Sequence, residues 1–226
     1  MKNLLSAHAV LRAVTFATLT LVGGVSTAQA QEIKGDAAAG KTKAAMCIGC
    51  HGIPGYRASF PEVYQVPMIS GQTAGYIVSS LNAYQKGDRK HPTMRGIAGS
   101  LTDQDKADLA AYYASHGEGV AEAPAAQPTG AVAELLTKGA CAGCHGANYS
   151  KPADPASIPK LAGQPADYLY AALRAYKVTG NANVGRANAI MGGQVAQYKD
   201  AELKAIAKYL SSLPSELSVK PNPKFR

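Results

Sequence analysis

An all-α protein of two homologous domains in tandem is the architecture this sequence predicts. Three observations carry that prediction. A block of sequence recurs about 94 residues further on, apolar residues fall at helical spacing in both copies, and a Gly/Pro/Ala-rich stretch separates the copies.

The repeat is read directly. Cys47-Ile48-Gly49-Cys50-His51-Gly52 returns as Cys141-Ala142-Gly143-Cys144-His145-Gly146. Pro67-Met68-Ile69-Ser70-Gly71-Gln72 returns as Pro159-Lys160-Leu161-Ala162-Gly163-Gln164 at an offset of 92. Tyr76, Leu81 and Tyr84 match Tyr168, Leu173 and Tyr176 in that register; Arg89, Met94 and Tyr112 match Arg186, Met191 and Tyr209 at an offset of 97. The drift requires only short insertions, which loops accept.

Taken in order, residues 1–30 read as a secretory leader cleaved after Ala30. Lys2 and Arg12 precede an apolar run over 13–25, and Ala28-Gln29-Ala30 supplies small residues at the cleavage site. The run is too short to span a bilayer, which needs about 20 apolar residues. An exported protein, expected in the periplasm, follows. Losing Lys2 and Arg12 with the leader takes the net charge from +8 to +6. Scattered lysines on an exported chain do not suggest nucleic acid as a partner. They suit an acidic partner or membrane surface.

The first domain is expected over 31–117, a linker over 118–130 and the second domain over 131–226. Helices are predicted over 37–46, 74–86 and 103–115 in the first half, the last opened by Thr102 as N-cap with Asp103 and Asp105 in its first turn. Their counterparts are 131–139, 166–178 and 199–212. The stretches 50–70 and 87–99 read as Gly/Pro-rich connections, the tail from Pro214 as extended chain on the surface, and no segment reads as a strand.

Each half carries C-x-x-C-H, the attachment signature of c-type haem. Two thiols three residues apart add to the two vinyl groups along one edge of the ring, and the next residue reaches the iron. Cys47, Cys50, Cys141 and Cys144 are thus candidate thioether positions, and His51 and His145 candidate iron ligands. A thioredoxin-like redox pair would need a βαβ context that the helical pattern lacks, and a shared zinc site would bring its cysteine pairs much closer in sequence. With no Trp, three Phe and twelve Tyr, a large planar cofactor would also fill the core.

The sixth ligand follows by elimination. After His145 the chain has no His and one Met, Met191. The first half offers Met46, Met68, His91, Met94 and His116. The duplication selects Met94, with His91 as its rival. A thioether ligand favours Fe(II) more than imidazole does and fills the sixth position, which suits an electron carrier rather than an enzyme. The carbonyls of Pro67 and Pro159 are expected to fix the histidines. Arg89 and Arg186 are candidates to pair with haem propionates, and Tyr76, Tyr84, Tyr168 and Tyr176 to line the haem edge.

Through these motifs, the two P-x-x-x-G-Q segments and the two R-x-x-x-x-M segments, the chain resembles the di-haem cytochrome c4 family over almost all of its mature length. The resemblance implies two class I cytochrome c domains related by a pseudo-two-fold axis, propionates near the domain interface, a quinol-oxidising complex as electron donor, a terminal oxidase or another cytochrome as acceptor, and in some cases loose membrane attachment. Similar subunits occur in flavocytochrome c sulfide dehydrogenase, the alternative reading; a di-haem peroxidase is a third. In this fold the first and last helices of a domain cross at a small residue packed by an aromatic. Gly40 and Tyr112 fit; in the second half Glu134 stands where Gly40 does, so Ala133 is expected at that crossing.

Overall fold

The computed structural model describes residues 33–119 and 127–221, so the expected leader and the middle of the expected linker lie outside it. In the first half, α1 (Ala37–Lys43) starts at Asp36, whose carboxylate accepts from the amides of Ala38 and Ala39. The chain bends at Ala44 and continues as α2 (Ala45–His51), so the single helix expected over 37–46 is two. A two-residue hairpin follows, β1 (Arg57–Ala58) against β2 (Tyr64–Gln65). Then come α3 (Ala74–Lys86), β3 (Arg89–Lys90), α4 (Pro92–Gly99) and α5 (Asp103–Ser115).

The second half runs α6 (Ala131–Lys138), α7 (Cys141–His145), α8 (Ala166–Ala175), β4 (Gly185–Arg186), α9 (Ala189–Ala196) and α10 (Asp200–Ser212). Two expectations are corrected. The strands, though only two residues each, exist. The stretch 87–99 is more than a connection: it holds α4, with Pro92 at the first helical position, where its missing N–H costs nothing. Thr102 forms the expected N-cap and closes a reciprocal capping box with Asp105.

In the first half α1 crosses α5 closely. A Cβ at Gly40 would overlap the Asp108 carbonyl and the Tyr112 Cβ, so only glycine permits this approach. In the second half Glu134 is exposed and Leu136 is buried instead. The halves also solve one core position differently. Lys106 of α5 is 1% exposed, its ammonium donating to Asn82 (2.8 Å), Gln85 (2.5 Å) and Asp103 (3.0 Å). Its repeat counterpart is Leu203, 0% exposed in an apolar cluster with Leu136, Leu169, Ile206 and Leu210.

The two halves meet along a near-symmetric seam. β3 pairs antiparallel with β4 so that Arg89 faces Arg186, its own duplicate. Ion pairs Arg57–Asp167 (2.6 Å) and Arg174–Glu62 (3.1 Å) tie the first-half hairpin to α8. The tail is not merely on the surface. Leu217 is buried, Ser218 donates its amide to the Ser70 carbonyl (3.0 Å), and Lys160 pairs with Glu216 (2.5 Å), so residues 216–218 tie both halves together, while 222–226 of the expected tail lie outside the described residues.

Candidate functional site

The first-half site is built from two helices distant in sequence. Cys47, Cys50 and His51 lie on α2; Met94 comes from α4, some 40 residues away in sequence. All four line one cavity of about 490 Å³. Its wall is completed by Tyr76, Tyr84 and Arg89 of the same half and by Tyr168 and Arg186 of the other. In the second half His145 is buried, while Cys141 and Met191 pack against the apolar cluster around Leu203 and Leu210.

Both histidines are fixed as expected. His51 Nδ1 donates to the Pro67 carbonyl at 2.8 Å and His145 Nδ1 to the Pro159 carbonyl at 3.0 Å. With Nδ1 protonated, Nε2 keeps its lone pair for a metal. Burial pushes both imidazole pKa values down, against the opposing pull of the carbonyl bond, so the rings stay neutral.

The methionine loops share a device that the sequence reading missed. His91 and Asn188, at matching repeat positions, are the N-caps of α4 and α9. The group each one caps is the backbone amide of the methionine itself: Met94 N–H to His91 Nδ1 (3.4 Å) and Met191 N–H to Asn188 Oδ1 (2.9 Å). The His91 ring also stands edge-on to Phe60 at 6.0 Å. A ring that caps α4 and packs on Phe60 is a weaker rival to Met94. Of the other candidates, Met68 lines the cavity, Met46 is 49% exposed, and His116 bonds the Ser70 hydroxyl at 2.8 Å. The cap could have been read from the three-residue spacing before each Met, had α4 and α9 been recognised as helices.

Where the halves meet, Arg89 and Arg186 are half-buried, and among the described residues neither pairs with a carboxylate. Arg89 donates to Tyr168 Oη (2.8 Å), Ser80 Oγ (3.1 Å) and Tyr76 Oη (3.4 Å), and its Nε is buried without a partner. Arg186 donates to the same Tyr168 oxygen at 3.2 Å and lies over the Tyr176 ring. Burial alone would push the Tyr168 phenol up; the two arginines outweigh it and bring its pKa down to about 8. This concentration of half-buried positive charge calls for anions.

Two thiols and a neutral imidazole at fixed spacing, a thioether in the same cavity, and guanidiniums without a carboxylate partner in its wall are the donor set that a haem with two carboxylates fits. The duplication of nearly every part defines the class: a two-domain c-type cytochrome. The cytochrome c family profile matches residues 37–117 and again 131–214. Cytochrome c4 of Thiocapsa roseopersicina is 34% identical over 194 residues, which are 79% of this chain and 93% of the relative. The thiosulfate dehydrogenase electron acceptor of Stutzerimonas stutzeri (strain A1501) is 33% identical over 189 residues, covering 77% of this chain and 82% of the relative. The crystal structure of reduced recombinant cytochrome c4 from Pseudomonas stutzeri matches with a TM-score of 0.58 at 27% identity, covering 80% of this chain and all of that one. The chain belongs to the di-haem cytochrome c4 family. It is a c-type cytochrome of electron transfer with two covalently bound haem c groups, and its partners are redox proteins.

Proposed function

We propose that the chain is a periplasmic electron carrier whose irons are each held between a histidine and a methionine, His51 with Met94 and His145 with Met191. Cys47 with Cys50, and Cys141 with Cys144, form the thioether links. One observation carries this reading: Cys47, Cys50, His51 and Met94 line one cavity although they come from helices some 40 residues apart in sequence, and each has a duplicate in the second half. Bound haem supplies a one-electron iron couple. The protein supplies the rest. The prolyl carbonyls hold the imidazoles in one orientation, Met94 and Met191 would complete the iron's ligands and keep small molecules out, and Arg89 and Arg186 would neutralise the acidic edge. A site filled on both faces changes little between oxidation states, which favours a carrier over a catalyst.

Export is supported by the leader pattern of residues 1–30, with cleavage after Ala30, and the domains are taken as 31–117 and 131–226 around a 118–130 linker. No helix among the described residues is long and apolar enough to cross a membrane. Within the reading, a quinol-oxidising complex is the donor and a terminal oxidase or another cytochrome the acceptor. The likeness to a thiosulfate dehydrogenase electron acceptor favours a second reading, in which a sulfur-compound dehydrogenase is the donor; stoichiometric reduction by such an enzyme and its substrate would select it. The ligand set is tested by the optical spectrum of the purified protein. Two low-spin haems with a Met-to-iron band when oxidised, and no carbon monoxide uptake when reduced, are expected. A high-spin haem, or one that takes up carbon monoxide, overturns the ligand assignment.

A further inference from the structure

Gln72 and Gln164 are each 4% exposed, and each grips the opposite half of the molecule. Gln72 Nε2 donates to the Lys160 carbonyl (3.1 Å), and its Oε1 accepts from the Lys160 amide (3.0 Å) as well as from the neighbouring Thr73 amide (3.1 Å). Gln164 treats Met68 the same way, with its Nε2 2.7 Å from the carbonyl and its Oε1 3.0 Å from the amide. Met68 and Lys160 occupy matching places in the repeat, so the clamp is reciprocal across the pseudo-dyad.

The amide that each glutamine grips belongs to a particular peptide group. The Met68 N–H and the Pro67 C=O are two ends of one planar unit, and so are the Lys160 N–H and the Pro159 C=O. Those carbonyls accept the histidine Nδ1 protons, from His51 and His145 respectively. Each rigid plane is therefore held at one end by a glutamine of the other half and holds at its other end the histidine of its own half. Accepting a bond from the N–H end polarises the plane and makes its carbonyl a better acceptor.

We propose that Gln72 and Gln164 are crossed positioning residues: Gln72, in the first half, orients and tunes His145 of the second, and Gln164 does the same for His51 of the first. The inference rests on the reading of His51 and His145 as iron ligands. A stronger bond from Nδ1–H makes the imidazole a better donor and favours the oxidised iron. Removing the glutamine must then raise the potential of the haem in the other half. Losing the whole Nδ1 bond, at about 1 kcal/mol net, would change that haem's reduction equilibrium about fivefold, so about fivefold, or roughly 41 mV, is the ceiling.

The test uses full-length haem-loaded protein with Gln72→Met or Gln164→Met, near-isosteres that cannot make the clamp. NMR of the reduced protein follows the two imidazole Nδ1–H protons and their exchange with solvent; an NMR-monitored redox titration gives each haem's potential. Gln72→Met is expected to speed exchange at His145 and raise the second haem's potential while sparing the first, and Gln164→Met to do the reverse. A change on the variant's own side, an equal change on both sides, or no change overturns the inference. If Gln72→Met does not fold, Gln72→Glu keeps the acceptor oxygen toward Lys160 N–H and should leave His145 Nδ1–H protected; faster exchange there sinks the idea. The ligand reading is checked separately in the wild type. If neither Nδ1–H carries the ring-current shift of a haem-bound imidazole, that reading fails and takes the inference with it.

Discussion

Replacing Asn188 by Ala removes the only side-chain group seen to hold the Met191 amide, a 2.9 Å bond at the N-terminus of α9. An N-cap Asn→Ala change costs about 1 kcal/mol. That cost falls on the turn that carries the sulfur, because the capped amide is the methionine's own. If the loss appears as a looser methionine, displacement by an added ligand becomes easier by the same amount, a factor of about five. His91→Ala loses a longer, weaker bond of 3.4 Å but also the contact with Phe60, whose ring stands edge-on to His91 at 6.0 Å. The assay is an imidazole titration of the oxidised protein, followed through loss of the Met-to-iron band. The wild type should lose the band in two phases, Met94 yielding first because its cap is longer. Asn188→Ala should tighten the second phase about fivefold and leave the first in place, and His91→Asn, which installs the other half's cap, should weaken the first. Phases that do not move in either variant, with the wild-type band present, would refute the reasoning that the caps position the sulfur.

Three further outcomes are expected. Lys106→Leu should lie within about 1 kcal/mol of wild type, because its repeat counterpart is Leu203 and a buried charge can be replaced by a well-packed apolar group at little cost. Lys106→Ala should lose about 2–4 kcal/mol through the space it leaves; chemical denaturation measures both, and a large loss in the leucine variant would mean the Asn82 and Gln85 bonds matter more than packing. Arg89→Met and Arg186→Met should each lower haem potentials by some tens of millivolts, since each removes a half-buried positive charge that favours the reduced state; unchanged potentials in a redox titration would exclude the arginines from the haem environment. The α1–α5 crossing should weaken in acid. The Lys43 ammonium, and after it the Asp36 amide, hold the Asp108 carboxyl below its usual range, so its contribution is present above an unfolded pKa near 4 and is lost as the pH falls through the folded value. Asp108→Asn should flatten the acid limb of a stability–pH profile, and an unaltered limb would contradict the assignment.

The parts legible in the sequence are those in which a residue's chemistry fixes its neighbours. C-x-x-C-H sets a candidate ligand and two attachment points within five residues, and the duplication doubles every inference drawn from it, so the prolyl acceptors could be named before any geometry was known, and Met94 and Met191 as candidates. Helix α3 was legible because its apolar residues recur at helical spacing, and α5 because Thr102 caps a first turn that carries Asp103 and Asp105. What escaped was short or long-range. Helices α4 and α9 have eight residues each, too few for periodicity to outweigh the glycines of both and the proline of α4, and they stand on caps. The break of the first helix at Ala44 has no local signal. The glutamine clamps and the tail's pairing with Ser70 join residues some 90 to 150 positions apart, which no spacing rule reaches.

The pseudo-dyad itself explains why the centre of the molecule looks as it does. When a duplicated chain folds back on itself, the residue on the axis meets its own copy, and here that residue is arginine. Two guanidiniums side by side are unfavourable in a bare protein; partial burial raises the cost, since like charges in a low dielectric repel strongly. Among the described residues no acidic side chain neutralises them: their partners are Tyr76, Ser80 and Tyr168. Symmetry also cannot be complete at such a point. Tyr168 reaches both arginines, whereas its counterpart Tyr76 reaches only Arg89, so the two halves differ on the axis itself. An anion arriving from each half would remove the repulsion and meet unequal surroundings, and two identical cofactors would thereby acquire different potentials without any difference in their axial ligands.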